Sequence, residues 1–148
     1  MKTYKTNINL YTLRKIQTEF PKVKVDSSAT AAKFIKQFYS DDIEIFESFF
    51  VLLLNSANIT TGYAKISQGG IAGTMVDTRL IAKYAVDALA PSVILAHNHP
   101  SGNTKASHAD REITKKIIAG LGLLDIKVLD HLILTEESFL SFADEGLL

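Results

Sequence analysis

The stretch SVILAHNHPSGNTKASHAD, residues 92–110, decides how this chain folds. An apolar run leads to two histidines one residue apart, His97 and His99, and then meets Pro100, Ser101 and Gly102. A short apolar run bounded by turn residues reads as a buried strand. Proline has no N–H to give a ladder, so the strand ends there. Ser107, with Asp110 three residues on, then has the pattern of a capped helix start for SHADREITKKIIAGLG, which ends at glycine.

Outward from this strand–turn–helix unit, ESFFVLLLN (47–55) is apolar on both alternating faces, as a central strand covered on both sides would be. A further strand is expected at NITTGYAKIS (58–67), followed by a glycine-bearing stretch, QGGIAGTMV. DTRLIAKYAVDALA (77–90) reads as an amphipathic helix capped by Asp77 and stopped by Pro91. DSSATAAKFIKQFYS (26–40) reads as another, with Asp26, Ser27 or Ser28 as its cap and Ala31, Phe34, Ile35 and Phe38 on one stripe. DIKVLDHLILT and SFLSFADEGLL close the chain as strands, or as a strand and a turn, and residues 1–26 allow a short helix and an edge strand at KVKV. The expected fold class is α/β, a mixed sheet with helices packed on it. Residues 1–23 are read as a segment packed on or extending a domain at 24–148.

Bulk properties narrow the function classes. A chain of 148 residues is long enough for one domain with a sizeable core. Its net charge of zero gives no basic field for nucleic acid or an anionic membrane. The longest apolar run, Phe49–Leu54, is too short to span a bilayer, and the N-terminus lacks the apolar core of a secretory signal. Cysteine is absent, which excludes disulfides and Cys-ligated zinc. A cytoplasmic location is the expectation.

In an extended segment, residues i and i+2 share a face, so His97 and His99 can converge on one point. Asp110, in the first turn of the following helix, can return to the same place. Two imidazoles and a carboxylate leave a fourth tetrahedral position for water, the arrangement of catalytic zinc sites. The same residues also allow a plainer reading, with ordinary polar histidines at a strand end and Ser107 and Asp110 forming only a capping box. A non-haem iron triad and a Ser–His pair compete as well.

The order H-x-H, seven residues, then S-x-x-D resembles the metal-binding pattern of the JAB/MPN (JAMM) metallopeptidases. Within that group the chain is similar to the RadC family, through ILAHNHPSG, SHAD, LDHLIL (129–134), ESFFVLLLN and the pair Gly73-Thr74 with Arg79. Departures from the family's habits fall on Ala106 and Thr78, where proline is frequent, and not on ligand positions. The resemblance implies a JAB/MPN-like (cytidine-deaminase-like) mixed β-sheet flanked by helices, here without the helix-hairpin-helix-like region of longer relatives. It also implies Zn2+ held by His97, His99 and Asp110.

For the general base, the resemblance selects Glu47 over Glu44. The local pattern agrees, because Glu47 opens the buried strand on the face of Phe49, Val51 and Leu53, and partial burial suits a carboxyl to acid/base work. Ser107 is implied as a donor to the carbonyl oxygen or oxyanion. His108 is expected to be solvated, and Asp130 and His131 to support either the ligands or the fold rather than to ligate. The implied activity is a zinc-dependent amide hydrolase acting on a peptide or isopeptide bond of an unidentified protein or peptide. The alternative, a nucleic-acid-associated protein, rests on the family's traditional DNA-repair label, and the neutral charge argues against direct DNA binding.

Overall fold

The computed structural model describes residues 7–69 and 75–148. The described elements run α1 (Ser28–Lys36), β1 (Ser48–Leu54), β2 (Thr60–Gln68), α2 (Thr78–Asp87), β3 (Ser92–Asn98), α3 (His108–Gly122), β4 (Lys127–Leu134) and β5 (Phe139–Ser141). The five strands form one mixed sheet in the order β2-β1-β3-β4-β5. Only β3 and β4 pair in parallel, with α3 as the crossover between them. The sheet flanked by helices agrees with the fold expected from sequence.

The period-two alternation of the central strands divides the core into two layers. Phe49, Val51 and Leu53 of β1, with Val93 and Leu95 of β3, pack against Ile81 and Ala85 of α2 and Ile117 and Leu121 of α3. Leu52, Leu54, Ile94, Ala96, Leu132 and Leu134 point the other way, onto Ala31, Phe34 and Ile35 of α1. Every residue of β1 is buried, which explains why its sequence shows no polar face. His97 continues the row of Val93 and Leu95 and faces the α2/α3 layer, while Asn98 faces the α1 layer.

Local signals set most boundaries. Ser27 caps α1 by accepting from Thr30 N, and Asp77 caps α2 by accepting from Arg79 N. One helix end differs from expectation. α2 ends at Asp87, before Pro91 is reached, because Leu89 turns left-handed (φ 51°) and Ala90 N closes back onto the Ala85 carbonyl. α3 ends at Gly122, as read from the sequence, and Asp125 (φ 56°) then turns left-handed, with Ile126 N donating to the Leu121 carbonyl.

The N-terminal expectations are corrected too. No helix forms among residues 7–26, where Ile8, Leu10, Tyr11 and Ile16 lie in solvent with no layer to bury them. KVKV shrinks to one bridge, Lys24 to Ile59, because Pro21 cannot donate on one side and the α1 cap begins at once on the other. Gly73 and Thr74 lie outside the described residues. Among the described residues, no helix is long and apolar enough to cross a membrane.

Candidate metal centre

Each side chain of the expected site is delivered by a local device. β3 carries His97 to the rim of the sheet, and His99 follows after the last ladder bonds, with its N–H donating to the Leu134 carbonyl at 2.9 Å. The chain then turns at once. Gly102 N donates to the His99 carbonyl at 3.0 Å, and Gly102 takes φ +83°, a conformation that L side chains rarely adopt. Ala106 packs against Ile133 and Phe142, which anchors the far end of the loop where α3 begins. At that start Ser107 Oγ accepts from Asp110 N at 3.0 Å, and Ser107 N donates to Asp110 Oδ2 at 2.8 Å.

The capping-box and ligand readings of Asp110 are therefore compatible. Asp110 Oδ1 lies 3.1 Å from His97 Nε2, and Asp110 Oδ2 lies 3.3 Å from His99 Nε2. The two imidazole Nε2 atoms are 3.0 Å apart. Glu47 Oε1 is 3.9 Å from His99 Nε2, so this carboxylate stands at the edge of the same group. Ligand atoms of Glu47, His97 and His99 all lie within 4.8 Å of one another, a set that could hold a metal ion. The two histidines, Asp110 and Glu47 thus lie together at the rim of the sheet. Ser107 lies alongside through its bonds to Asp110, and its hydroxyl proton is not consumed by the cap. His108 is exposed at the start of α3.

The donor set fits a cation. His99 Nδ1 lies 2.7 Å from the Asn103 carbonyl, which only accepts, so a neutral His99 must keep its proton on Nδ1. Its Nε2 lone pair then faces His97 Nε2 and a carboxylate, an arrangement that repels itself until a proton or a cation enters. A tetrahedron with corners about 2.0–2.1 Å from its centre has edges of about 3.3 Å. The Nε2–Nε2 separation of 3.0 Å and the 3.1 Å from His97 Nε2 to Asp110 Oδ1 are close to that edge, while the 3.3 Å contact of His99 Nε2 is to the other carboxylate oxygen. Imidazole nitrogens with carboxylate oxygens suit zinc or another first-row transition metal better than magnesium or calcium.

The electrostatics of the metal-free group agree. Burial pushes the Asp110 carboxyl up, but its pairing with the imidazoles of His97 and His99 outweighs that and holds the group well below the usual carboxylate range. The bond to Asp110 raises His99 against the opposing effect of burial. Burial drives His131 well below the ordinary histidine range, which leaves it neutral.

Three supporting residues stand behind the site. His131, which is 0 % exposed, sits 2.8 Å from His97 Nδ1 through its own Nε2 and 2.6 Å from Thr114 Oγ1 through Nδ1. Phe49 stacks on the His97 ring at 5.9 Å with planes 6° apart. Asn98, between the two histidines, points into the opposite layer. There its Nδ2 donates to the carbonyls of Ile43 (2.6 Å) and Phe46 (2.8 Å), and its Oδ1 accepts from Ser48 N (2.8 Å). It thereby ties the segment bearing Glu47 to the strand bearing the histidines. Asp130 works separately: buried, and raised by that burial, it binds Ser141 Oγ at 2.6 Å and the N–H of Ala143, and so shapes the C-terminal turn.

Sequence reasoning missed Asn98 and Thr114. An amide side chain between two histidines at the end of an apolar strand was the available signal for Asn98. Thr114 had none, since a threonine within a helix is ordinary. The Arg79 of the resemblance is exposed and paired with Asp77 at 2.8 Å, away from direct contact with these groups.

Comparison with known proteins matches the same region. A UPF0758 protein of Flavobacterium johnsoniae is 52% identical over 101 residues, covering 68% of this chain and 44% of that protein. One of Porphyromonas gingivalis is 39% identical over 125 residues, covering 84% and 54%, and UPF0758 protein YfjY of Escherichia coli is 44% identical over 102 residues, covering 69% and 64%. The chain thus spans about half the length of the curated relatives it matches, and their shared name states no reaction. The profile described as RadC-like JAB domain matches residues 25–147, and on that match the chain belongs to the RadC-like JAB domain family.

Proposed function

We propose that this chain is a zinc-dependent amide hydrolase that cleaves a peptide or isopeptide bond. The observation that carries the reading is the convergence of His97, His99 and Asp110 within 3.0–3.3 Å at the sheet rim, with Glu47 at its edge. Zinc at this point would supply Lewis acidity and render water acidic near neutral pH. His97, His99 and Asp110 would hold the ion. Glu47 Oε1, with its side chain only 16% exposed, would accept the proton of the attacking water and pass it to the leaving nitrogen. Ser107 Oγ–H would donate to the carbonyl oxygen as charge develops there. Membership of a JAB family supports a hydrolase.

The test uses a proteome-derived peptide library incubated with zinc-loaded protein, with new amino termini read by mass spectrometry. The wild-type protein should generate new termini. E47Q should bind zinc equally and generate them about 10²–10⁴-fold more slowly. Equal rates for wild type and E47Q would remove Glu47 as the base, and absence of zinc binding would remove the reading itself.

A further inference from the structure

A line of hydrogen bonds runs from α3 through Thr114 and His131 to His97. Thr114 Oγ1 donates to the Asp110 carbonyl at 2.6 Å, His131 Nδ1 lies 2.6 Å from Thr114 Oγ1, and His131 Nε2 lies 2.8 Å from His97 Nδ1. A hydroxyl has one proton and a neutral imidazole one N–H, so fixing the direction of one bond fixes them all.

The Asp110 carbonyl can only accept, which commits the Thr114 proton to it. Thr114 Oγ1 must then accept from His131 Nδ1–H. His131 Nε2 is left with a lone pair and takes the N–H of His97 Nδ1. His97 Nε2 consequently keeps its lone pair, aimed at His99 and Asp110. Were the line reversed, His97 would carry its proton on Nε2, the atom 3.1 Å from Asp110 Oδ1, and could not ligate there.

We propose that Thr114 and His131 are positioning residues that hold His97 in its metal-accepting tautomer, with the direction set by the main-chain carbonyl of Asp110. Asp110 thus acts twice, offering a carboxylate from its side chain and polarity from its backbone. His131 is enclosed for this task, 0 % exposed and flanked by the rings of Phe142 (4.7 Å) and Phe49 (5.4 Å). His99 has no need of such a line, because the Asn103 carbonyl fixes its tautomer directly. A metal-ligating histidine ordinarily gives its second N–H to a carboxylate, a carbonyl or water. Here the carbonyl lies two side chains away, which makes the choice of tautomer sensitive to Thr114.

The inference rests on the reading of His97 as a ligand, and its test is chosen to be separable from that reading. Imidazole ¹⁵N–¹H correlation spectra of the metal-free protein at pH 8 report the protonated nitrogen of each of its four histidines. Wild type should show His97 and His131 both protonated on Nδ1. T114V, which keeps the shape and removes the hydroxyl, should move the His97 proton to Nε2 and weaken zinc binding about 10–100-fold in a chelator competition. T114S should restore both. A wild-type His97 protonated on Nε2 would overturn the proposal, and that spectrum decides it even if T114V fails to fold. A T114V spectrum unchanged from wild type, with zinc affinity within twofold, would also overturn it. Failure to find hydrolysis would leave the tautomers untouched, so the two readings fail separately.

Discussion

Asn98→Ala should loosen the segment that bears Glu47 while leaving both histidines in place. Asn98 is 0% exposed and satisfies three backbone groups at once: the carbonyls of Ile43 and Phe46 and the N–H of Ser48. Truncation leaves those groups without their partner inside the protein, at about 1–3 kcal/mol for each unsatisfied buried group. Partial relaxation of residues 43–48 offsets some of this, which puts the expected loss at about 3–5 kcal/mol. For a chain of this size each kcal/mol lowers the melting temperature by about 2–4 °C, so the metal-free variant should melt about 6–20 °C below wild type. Asn98→Asp should be no better, since a carboxylate keeps the Ser48 bond but turns an acceptor toward two carbonyls. Thermal unfolding by circular dichroism measures the loss. Hydrogen exchange by mass spectrometry should show faster exchange concentrated at residues 43–48. A melting temperature within 2 °C of wild type, with unchanged exchange in that segment, would refute the reasoning.

Other outcomes follow from the same geometry. Ser107→Ala removes the α3 cap and should cost about 1 kcal/mol of stability, measurable by denaturant unfolding. If Ser107 also serves the oxyanion, hydrolysis should fall about 10²–10³-fold, far more than that stability loss explains, with Ser107→Thr recovering part of both. In the metal-free protein the raised His99 contributes stability that is fully present below its ordinary value of 6.5 and is lost as pH rises through its folded value. The depressed Asp110 contributes stability present above its ordinary 3.8 and lost as pH falls through its lowered value. Metal-free stability should therefore decline from pH 6 to pH 9, and His99→Ala should flatten that slope in urea titrations. Zinc affinity should run the opposite way, rising with pH as His99 gives up its proton.

Much of this was legible because the controlling rules are local. The spacing of His97 and His99 fixes a shared face as soon as 92–98 is read as a strand, and Pro100 with Gly102 marks where it stops. Ser107 and Asp110 carry both a cap and a ligand in one short pattern, and the two-faced apolarity of ESFFVLLLN announces a central strand. What stayed hidden depends on contacts between distant segments. Nothing near Asn98 in sequence shows that its side chain will meet the carbonyls of Ile43 and Phe46, more than fifty residues away. Thr114 acquires meaning only when α3 lies across β4 and brings its hydroxyl to His131. The end of α2 was misplaced for a related reason: Leu89 adopts a left-handed backbone conformation that glycine would have advertised. KVKV failed as a full strand because its neighbours in sequence, Pro21 and the α1 cap, left it too few residues to pair.

The central claim is that His97, His99 and Asp110 together hold a metal ion beside Glu47. A crystal structure of zinc-loaded protein, with the ion located by anomalous scattering at the zinc edge, tests it most directly. The account predicts one ion per chain, bonded at about 2.0–2.2 Å to His97 Nε2, His99 Nε2 and an Asp110 carboxylate oxygen, with Glu47 facing the remaining position. An ion bound elsewhere, an ion on an Nδ1 atom, or a site that stays empty at saturating zinc would contradict it.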